Sequence, residues 1–355
     1  MNHIAVSIEN TSRSILPNEI ASHINNRART LDRGDERAFS NVQILSQSSI
    51  SDMGLPGEAS RISEMANVIV SVAELCMSSA FSLWAHRMAI EYLHRCTNAN
   101  LQHLLQQQIR PAKVAGSTAL ATAFMDTLGL RSMPVQYRRN NDHIILNGSI
   151  PWASNLRAEG FVAVLGAAGD SGDRIIVAVP SNVEGLVVDP YPDLMALQAT
   201  DSSSFGLYDC QISLDHIISY EAADFLKAVR PTFLTLQSAL CFGIGNAAKK
   251  SAEESLSGIA KEFHSDYDSL CKSWESLRSR YENTLDNQDN TNLVELLSIR
   301  LASAQVAQSL VTLEAKILGG RAYVNTSPTA RRMREAAFLP VQSPTEAQLL
   351  WELQQ

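Results

Sequence analysis

Three short segments of this 355-residue chain carry residue types that could do chemistry. Gly243-Ile244-Gly245-Asn246-Ala247-Ala248 has the G-x-G-x-x-A spacing of a dinucleotide loop, in which small residues let a pyrophosphate reach a helix N-terminus. That loop needs a buried strand before it. Here the motif sits inside an unbroken helical pattern, where small residues serve close helix packing instead. Gly169-Asp170-Ser171-Gly172-Asp173 sets a serine among glycines as a nucleophile segment would, but nothing nearby supplies an ordered base. Turn formers of this kind read as a hairpin turn. Arg331-Arg332-Met333-Arg334, followed by Glu335, could hold an anion; on a helix the run reads as a solvated or salt-bridged face. The eight histidines take no H-E-x-x-H or other metal spacing, so no metal site is expected.

The elements that must position such residues follow from periodicity. Ile20, Ile24 and Leu31 suggest one early helix, followed by a loop at SQSSISDMGLPGEAS. From Arg61, apolar residues at Ile62, Met65, Ile69, Val72 and Cys76 recur at helical steps. The helical texture runs to about Ile109, and Pro111 closes it. Between 112 and 217 the period shortens to two. Val135 and Tyr137, the turn chemistry of Asn140-Asn141-Asp142, and His143 to Leu146 leading into Asn147-Gly148 together read as a β-hairpin. Further strands fit Phe161 to Leu165, Arg174 to Val179 and Tyr208 to Leu214. Helical periodicity returns over Phe225 to Phe263, Tyr267 to Leu285 and Leu293 to Leu318, with DNQDNTN at 286–292 as a solvated break. The predicted fold class is α+β: helices over 1–111, a β unit over 112–217 and a helical bundle over 218–355.

Composition narrows the function. With 29 Lys+Arg against 37 Asp+Glu the formal charge is −8, which speaks against nucleic acid or an anionic membrane surface as partner. At 45% hydrophobic and 19% charged residues the chain has ample material for a core. The five cysteines never form a C-x-x-C pair, no continuous apolar run is long enough for a membrane span, and MNHIAVSIENTSRS lacks the order of a signal peptide. Reduced thiols and a cytoplasmic location are the expectation.

Asn147-Gly148-Ser149-Ile150-Pro151-Trp152-Ala153-Ser154-Asn155 resembles the N-G-x-K-x-W-[IA]-[ST]-N segment of the acyl-CoA dehydrogenase superfamily. The resemblance extends through Met195 to Leu214, Arg230-Pro231 where the family's bundle opens with T-R-P, Gly319-Gly320, and Pro328, Met333, Arg334, Glu335 and Ala336. It covers about residues 60 to 355. It implies an N-terminal helical domain, a β-barrel-like middle domain and a C-terminal four-helix bundle. It also implies FAD, or FMN, bound between sheet and bundle, with a neighbouring subunit of a homodimer or homotetramer completing the site. By the same resemblance Trp152 covers the flavin ring, Ser154 serves flavin N5 and Thr122 is the upstream flavin threonine. Lys316, Gly319, Gly320 and Thr345 complete the cofactor set, and Arg230 and His86 face substrate.

The departures bear on chemistry. The family's R-x-x-F-G segment, which lends an arginine to the diphosphate, is here Ala260-Lys261-Glu262-Phe263-His264, with Lys316 as a compensating point charge. The upstream T-E-P-x-A-G-S-D stretch is Thr122 to Gly129 and keeps little beyond its first residue. The usual catalytic glutamate is replaced by Ser343, the second family location is Val229, and Glu346 is the nearest carboxylate. Three readings stay open. One is a CH–CH oxidoreductase acting on an acyl thioester of CoA or a carrier protein, with an electron-transfer flavoprotein as partner and Glu346 as relocated base. The second is the flavin-dependent monooxygenase branch, served by a flavin reductase and marked by Trp84-Ala85-His86, although no histidine follows His264. The third is a non-catalytic binding or assembly subunit.

Overall fold

The computed structural model describes residues 16–287 and 292–355. The leader reading at 1–14 and the middle of the 286–292 break lie outside the described residues. Two helices, not one, occupy the early segment: α1 (Asn18–Asp32) and α2 (Phe39–Gln47). The second is short and half polar, but Phe39, Val42 and Leu45 point into the core. α3 (Ile62–Leu75) carries the apolar stripe foreseen from Ile62, and α4 (Met77–His94) is enclosed along nearly its whole length. α5 (Ala99–Leu104) follows, capped by the Asn98 side chain.

An enclosed helix can hold ionised residues only in pairs. On α4, Arg87 and Glu91 meet at 2.9 Å with both side chains fully buried, and Arg95 reaches Glu91 at 2.8 Å. Arg87 also donates to the carbonyls of Met53, at 3.0 Å, and Gly54, at 2.8 Å. The loop before α3 is thereby fastened to the centre of the molecule.

The middle region is β1 (Ala115–Ala119), α6 (Ala121–Thr127), β2 (Gln136–Asn140), β3 (His143–Ala153), β4 (Phe161–Gly169), β5 (Arg174–Pro180), β6 (Leu186–Val188), β7 (Ser203–Ser213) and β8 (Ile217–Ser219). They form one mixed eight-stranded sheet in the order β6-β7-β3-β2-β4-β5-β8, with β1 parallel to β4. β1 and β2 share one edge of β4, β1 along Phe161 to Leu165 and β2 at Ala168 and Gly169. β4 is buried almost throughout, as an apolar run of this kind requires.

The hairpin turn lies at Asn141-Asp142, and Asn147-Gly148 is inside β3. The turn thus falls within Asn140-Asn141-Asp142, where the turn chemistry was expected. β7 spends one more residue than β3 between the Leu146/Cys210 and Gly148/Leu207 pairs, a β-bulge in which Asp209 takes φ +50°. Asn147 holds that bulge: its Oδ1 accepts the Asp209 N–H at 2.9 Å and its Nδ2 donates to Asp209 Oδ1 at 2.9 Å. Gly148 has φ +136°, and a Cβ there would overlap the Pro134 carbonyl.

The bundle consists of α7 (Ala222–Ser255), α8 (His264–Asp286) and α9 (Leu293–Leu318), with α10 (Pro328–Phe338) and α11 (Glu346–Glu352) packed on α9. α7 starts ahead of Arg230-Pro231, so Pro231 is inside the helix and does not open it. The glycines of the G-x-G motif are packing positions: a Cβ on Gly243 would overlap Ala73 and the Val70 carbonyl on α3, and one on Gly245 would overlap the Trp274 ring on α8. With the turn after it, α9 is long and apolar enough to cross a membrane by length and composition, which a search for an uninterrupted apolar run overlooks. More than half of its most apolar window is buried, mainly against α7. The basic run on α10 is salt-bridged: Arg332 Nε donates to Glu314 Oε2 at 2.9 Å, Arg331 lies 3.6 Å from Glu335, and Arg334 pairs with Asp32.

Candidate functional site

The end of β3 carries a second register shift against β7. Between the Ile150/Phe205 and Ala153/Ser203 pairs, β3 advances three residues while β7 advances two. Pro151, which has no N–H for the ladder, and Trp152 occupy this second bulge. Bulges re-aim side chains, and the Trp152 indole is 58% exposed. Ser154, two residues on, is nearly buried.

Ser154 is held from several sides. Its carbonyl accepts the Ser117 hydroxyl from β1 at 2.6 Å. Its own hydroxyl meets Ser202 at 2.7 Å, and Ser202 meets Thr200 at 2.7 Å. Asn155 is fully buried at φ +62° and clamps three elements. Its Nδ2 donates to the Ser82 carbonyl on α4 at 2.9 Å and to the Gly116 carbonyl on β1 at 3.0 Å, while its N–H donates to Thr200 at 2.9 Å. Next to this cluster, burial pushes the Asp201 carboxyl up despite Arg37 at 3.2 Å.

His86 belongs to the same lattice. It is fully buried, its Nδ1 accepts the Gly116 N–H at 2.9 Å, and its ring meets Phe39 edge to face at 5.2 Å. Burial lowers its pKa to about 4, so the ring is neutral at physiological pH. The proton then sits on Nε2, and a backbone hydrogen bond to Ile109 offsets part of the effect of burial. Trp84 points elsewhere, stacked on Phe81 at 5.3 Å and edge to face with Phe233 at 5.1 Å. His86 is thus enclosed in the core and holds β1, in place of the open substrate position implied for it.

Thr122 lies on α6, a helix of only seven residues among the strands. Its Oγ1 is buried and has no hydrogen-bond partner. On the other side of α6, Phe124 packs on Phe233 of α7 at 5.1 Å, and the Arg230 guanidinium lies 5.8 Å from the Phe124 ring centre. Arg230 is itself ion-paired with Glu352 of α11 in a largely buried contact. That pairing occupies the charge expected to meet substrate.

The remaining residues sit apart. Lys316 is exposed on α9 and borders a groove of about 480 Å³ with Asp266, Ser269, Gln305 and Gln308, and Gly319 and Gly320 end the helix with open space around them. Within one chain α9 packs on α7, α8, α10 and α11 and makes no substantial contact with the sheet. Thr345 caps α11, its hydroxyl accepting the Gln348 N–H at 3.3 Å. The Ser343 carbonyl accepts from Gln237 at 2.8 Å, and Glu346 Oε1 accepts from Gln305 at 2.7 Å. One chain therefore ties Ser154 to β1, carries Thr122 on α6 directly after β1 and turns Trp152 outward at the end of β3, and places Lys316, Gly319 and Gly320 separately. Ser117, Asn155, Thr200 and Ser202 were not singled out by sequence reasoning. Asn155 ends the quoted β3 segment, but the Asp201-Ser202-Ser203-Ser204 run gives no sign of a hydroxyl chain.

No protein-family model matches the chain, and no curated protein matches it in sequence. Solved structures do resemble it. Butyryl-CoA dehydrogenase from Megasphaera elsdenii superimposes with a TM-score of 0.84 at 17% identity, covering 95% of this chain and 94% of that one. Glutaryl-coenzyme A dehydrogenase in its glutaryl-CoA complex gives 0.83 at 14% identity over 96% of this chain and 95% of that one. KijD3, solved with FMN and a dTDP-linked amino-keto sugar, gives 0.77 at 17% identity over 95% and 90%. The chain has the acyl-CoA dehydrogenase fold.

Proposed function

We propose that the chain binds a flavin, FAD or FMN, at the β3 rim and is a flavin-dependent oxidoreductase acting on an acyl thioester. The observation that carries this reading is the bulge that turns Trp152 outward two residues before Ser154, whose hydroxyl is held by Ser202. The buried, unpartnered Thr122 hydroxyl adds a polar atom that a bound heterocycle would satisfy. When bound, the flavin supplies a two-electron acceptor. Trp152 would cover the ring, and Ser154 and Thr122 would orient its polar edge. Lys316, Gly319 and Gly320 would serve the diphosphate end from a second copy of the chain, in a homodimer or homotetramer. With Lys316 alone and no arginine at 260–264, the grip on a diphosphate is weak, so FMN fits at least as well as FAD.

Glu346 is the first candidate to take the α-proton of the thioester. A specific observation favours a second reading. Both acids of α11 are engaged, Glu346 by Gln305 and Glu352 by Arg230, and a monooxygenase that receives reduced flavin and O₂ needs no carboxylate. The test begins with an absorbance spectrum of the purified protein with added FAD or FMN. Anaerobic bleaching by acyl-CoA supports the dehydrogenase, and substrate-dependent O₂ uptake driven by a flavin reductase supports the monooxygenase. Failure to retain either flavin at high micromolar concentration removes both and leaves a binding or assembly subunit.

A further inference from the structure

The hydroxyls behind Ser154 have a fixed direction. Thr200 Oγ1 lies 2.7 Å from the Leu197 carbonyl, and a carbonyl can only accept, so the Thr200 proton is committed there. Thr200 is buried. The 2.7 Å contact between Thr200 and Ser202 must then be donated by Ser202, since two hydroxyl oxygens approach that closely only across a proton. Ser202 has one proton. The 2.7 Å contact between Ser202 and Ser154 must therefore be donated by Ser154. The chain runs from Ser154 through Ser202 and Thr200 to Leu197, and the Ser154 hydroxyl has only lone pairs left for anything placed beside it.

We propose that the cofactor position beside Ser154 selects reduced over oxidised flavin, because this hydroxyl chain leaves the Ser154 hydroxyl able only to accept a hydrogen bond. The inference rests on the flavin reading above and deepens it. N5 of oxidised isoalloxazine is an acceptor, whereas N5 of the two-electron-reduced ring carries a hydrogen and donates. An accepting hydroxyl satisfies the reduced ring and sets lone pair against lone pair in the oxidised one. Leu197 at φ +62° and Asp201 at φ +48° fold the 197–202 segment back so that its carbonyl ends the chain, which makes the polarity a property of the backbone.

The test is an anaerobic titration of the full-length protein with FMN and FAD, each oxidised and dithionite-reduced, together with the midpoint potential of the bound flavin. The parent should bind the reduced form at least about tenfold more tightly, a rise of roughly 30 mV over the free two-electron couple. Ser202→Ala frees the Ser154 proton to face N5. Its preference for reduced flavin should fall below that of Ser154→Ala, which offers neither donor nor acceptor. Thr200→Val, which keeps the buried shape, should shift the preference in the same direction as Ser202→Ala. Equal or tighter binding of oxidised flavin by the parent, or an unchanged ratio in Ser202→Ala and Thr200→Val, overturns the proposal while leaving flavin binding intact. A parent that binds neither form overturns the flavin reading, and this inference with it.

Discussion

His86 Nδ1 accepts the backbone N–H of Gly116, so α4 holds β1 through a neutral imidazole. Gly116 passes the constraint on through its carbonyl to Asn155, which adjoins Ser154. The candidate site is therefore anchored through a ring that cannot be protonated on Nδ1 without breaking the anchor.

A pH dependence follows. Burial lowers the His86 pKa from 6.5 to about 4, so the unfolded chain takes up a proton below pH 6.5 that the folded chain refuses until about pH 4. The contribution is complete above pH 6.5 and is lost as pH falls through 4, amounting to about 3 kcal/mol over that window. His86→Asn, which keeps an acceptor near the Nδ1 position and does not titrate, should flatten stability between pH 6.5 and 4 relative to the parent. Denaturant melts at several pH values check this, and parallel curves would place the acid sensitivity elsewhere.

Trp152 separates binding from folding. With an indole 58% exposed, Trp152→Ala should change unfolding free energy by no more than about 0.5 kcal/mol. Loss of the ring surface should raise the flavin dissociation constant at least about tenfold. Fluorescence titration and thermal melts on the same samples give both numbers. Unchanged flavin affinity would remove the indole from the site.

The long helices were legible because their apolar residues recur over several turns, as from Ile62 to Cys76, and β4 and β5 because they are short apolar runs between turn formers. α6 was not: Ala121 to Thr127 is two turns long, too short for periodicity to register, and packing on α7 and β4 makes it a helix. Asn147-Gly148 has hairpin composition, but its amide and its positive φ serve a bulge, a role that pattern alone does not separate from a turn. Trp152 and Ser154 were singled out through their neighbours in one segment. Thr200 and Ser202 were hidden because their alignment depends on two non-glycine residues at positive φ.

The buried pair on α4 predicts a large stability effect away from the site. Glu91→Gln would leave Arg87 fully buried without its counter-charge, a loss of about 3–5 kcal/mol. Replacing both residues together, Arg87→Met with Glu91→Leu, should recover much of it. Urea melts of the single and double variants decide the matter. A single-variant loss under about 1 kcal/mol would mean that the Met53 and Gly54 carbonyls alone satisfy the guanidinium.

Glu346 offers the sharpest division between the two enzymatic readings. If it takes the α-proton of a thioester, it must leave Gln305, which now holds its Oε1 at 2.7 Å. Glu346→Gln would then slow anaerobic flavin bleaching by acyl-CoA by about 10²–10⁴-fold with flavin affinity unchanged. Gln305→Leu, which frees the carboxylate, should speed bleaching or leave it unaltered. A parent that bleaches and a Glu346→Gln variant that bleaches equally fast would move the base off α11. If the parent shows no bleaching but consumes O₂ in the presence of reduced flavin and substrate, Glu346 is only the first residue of a helix capped by Thr345, and its substitution should leave O₂ uptake within about twofold of the parent.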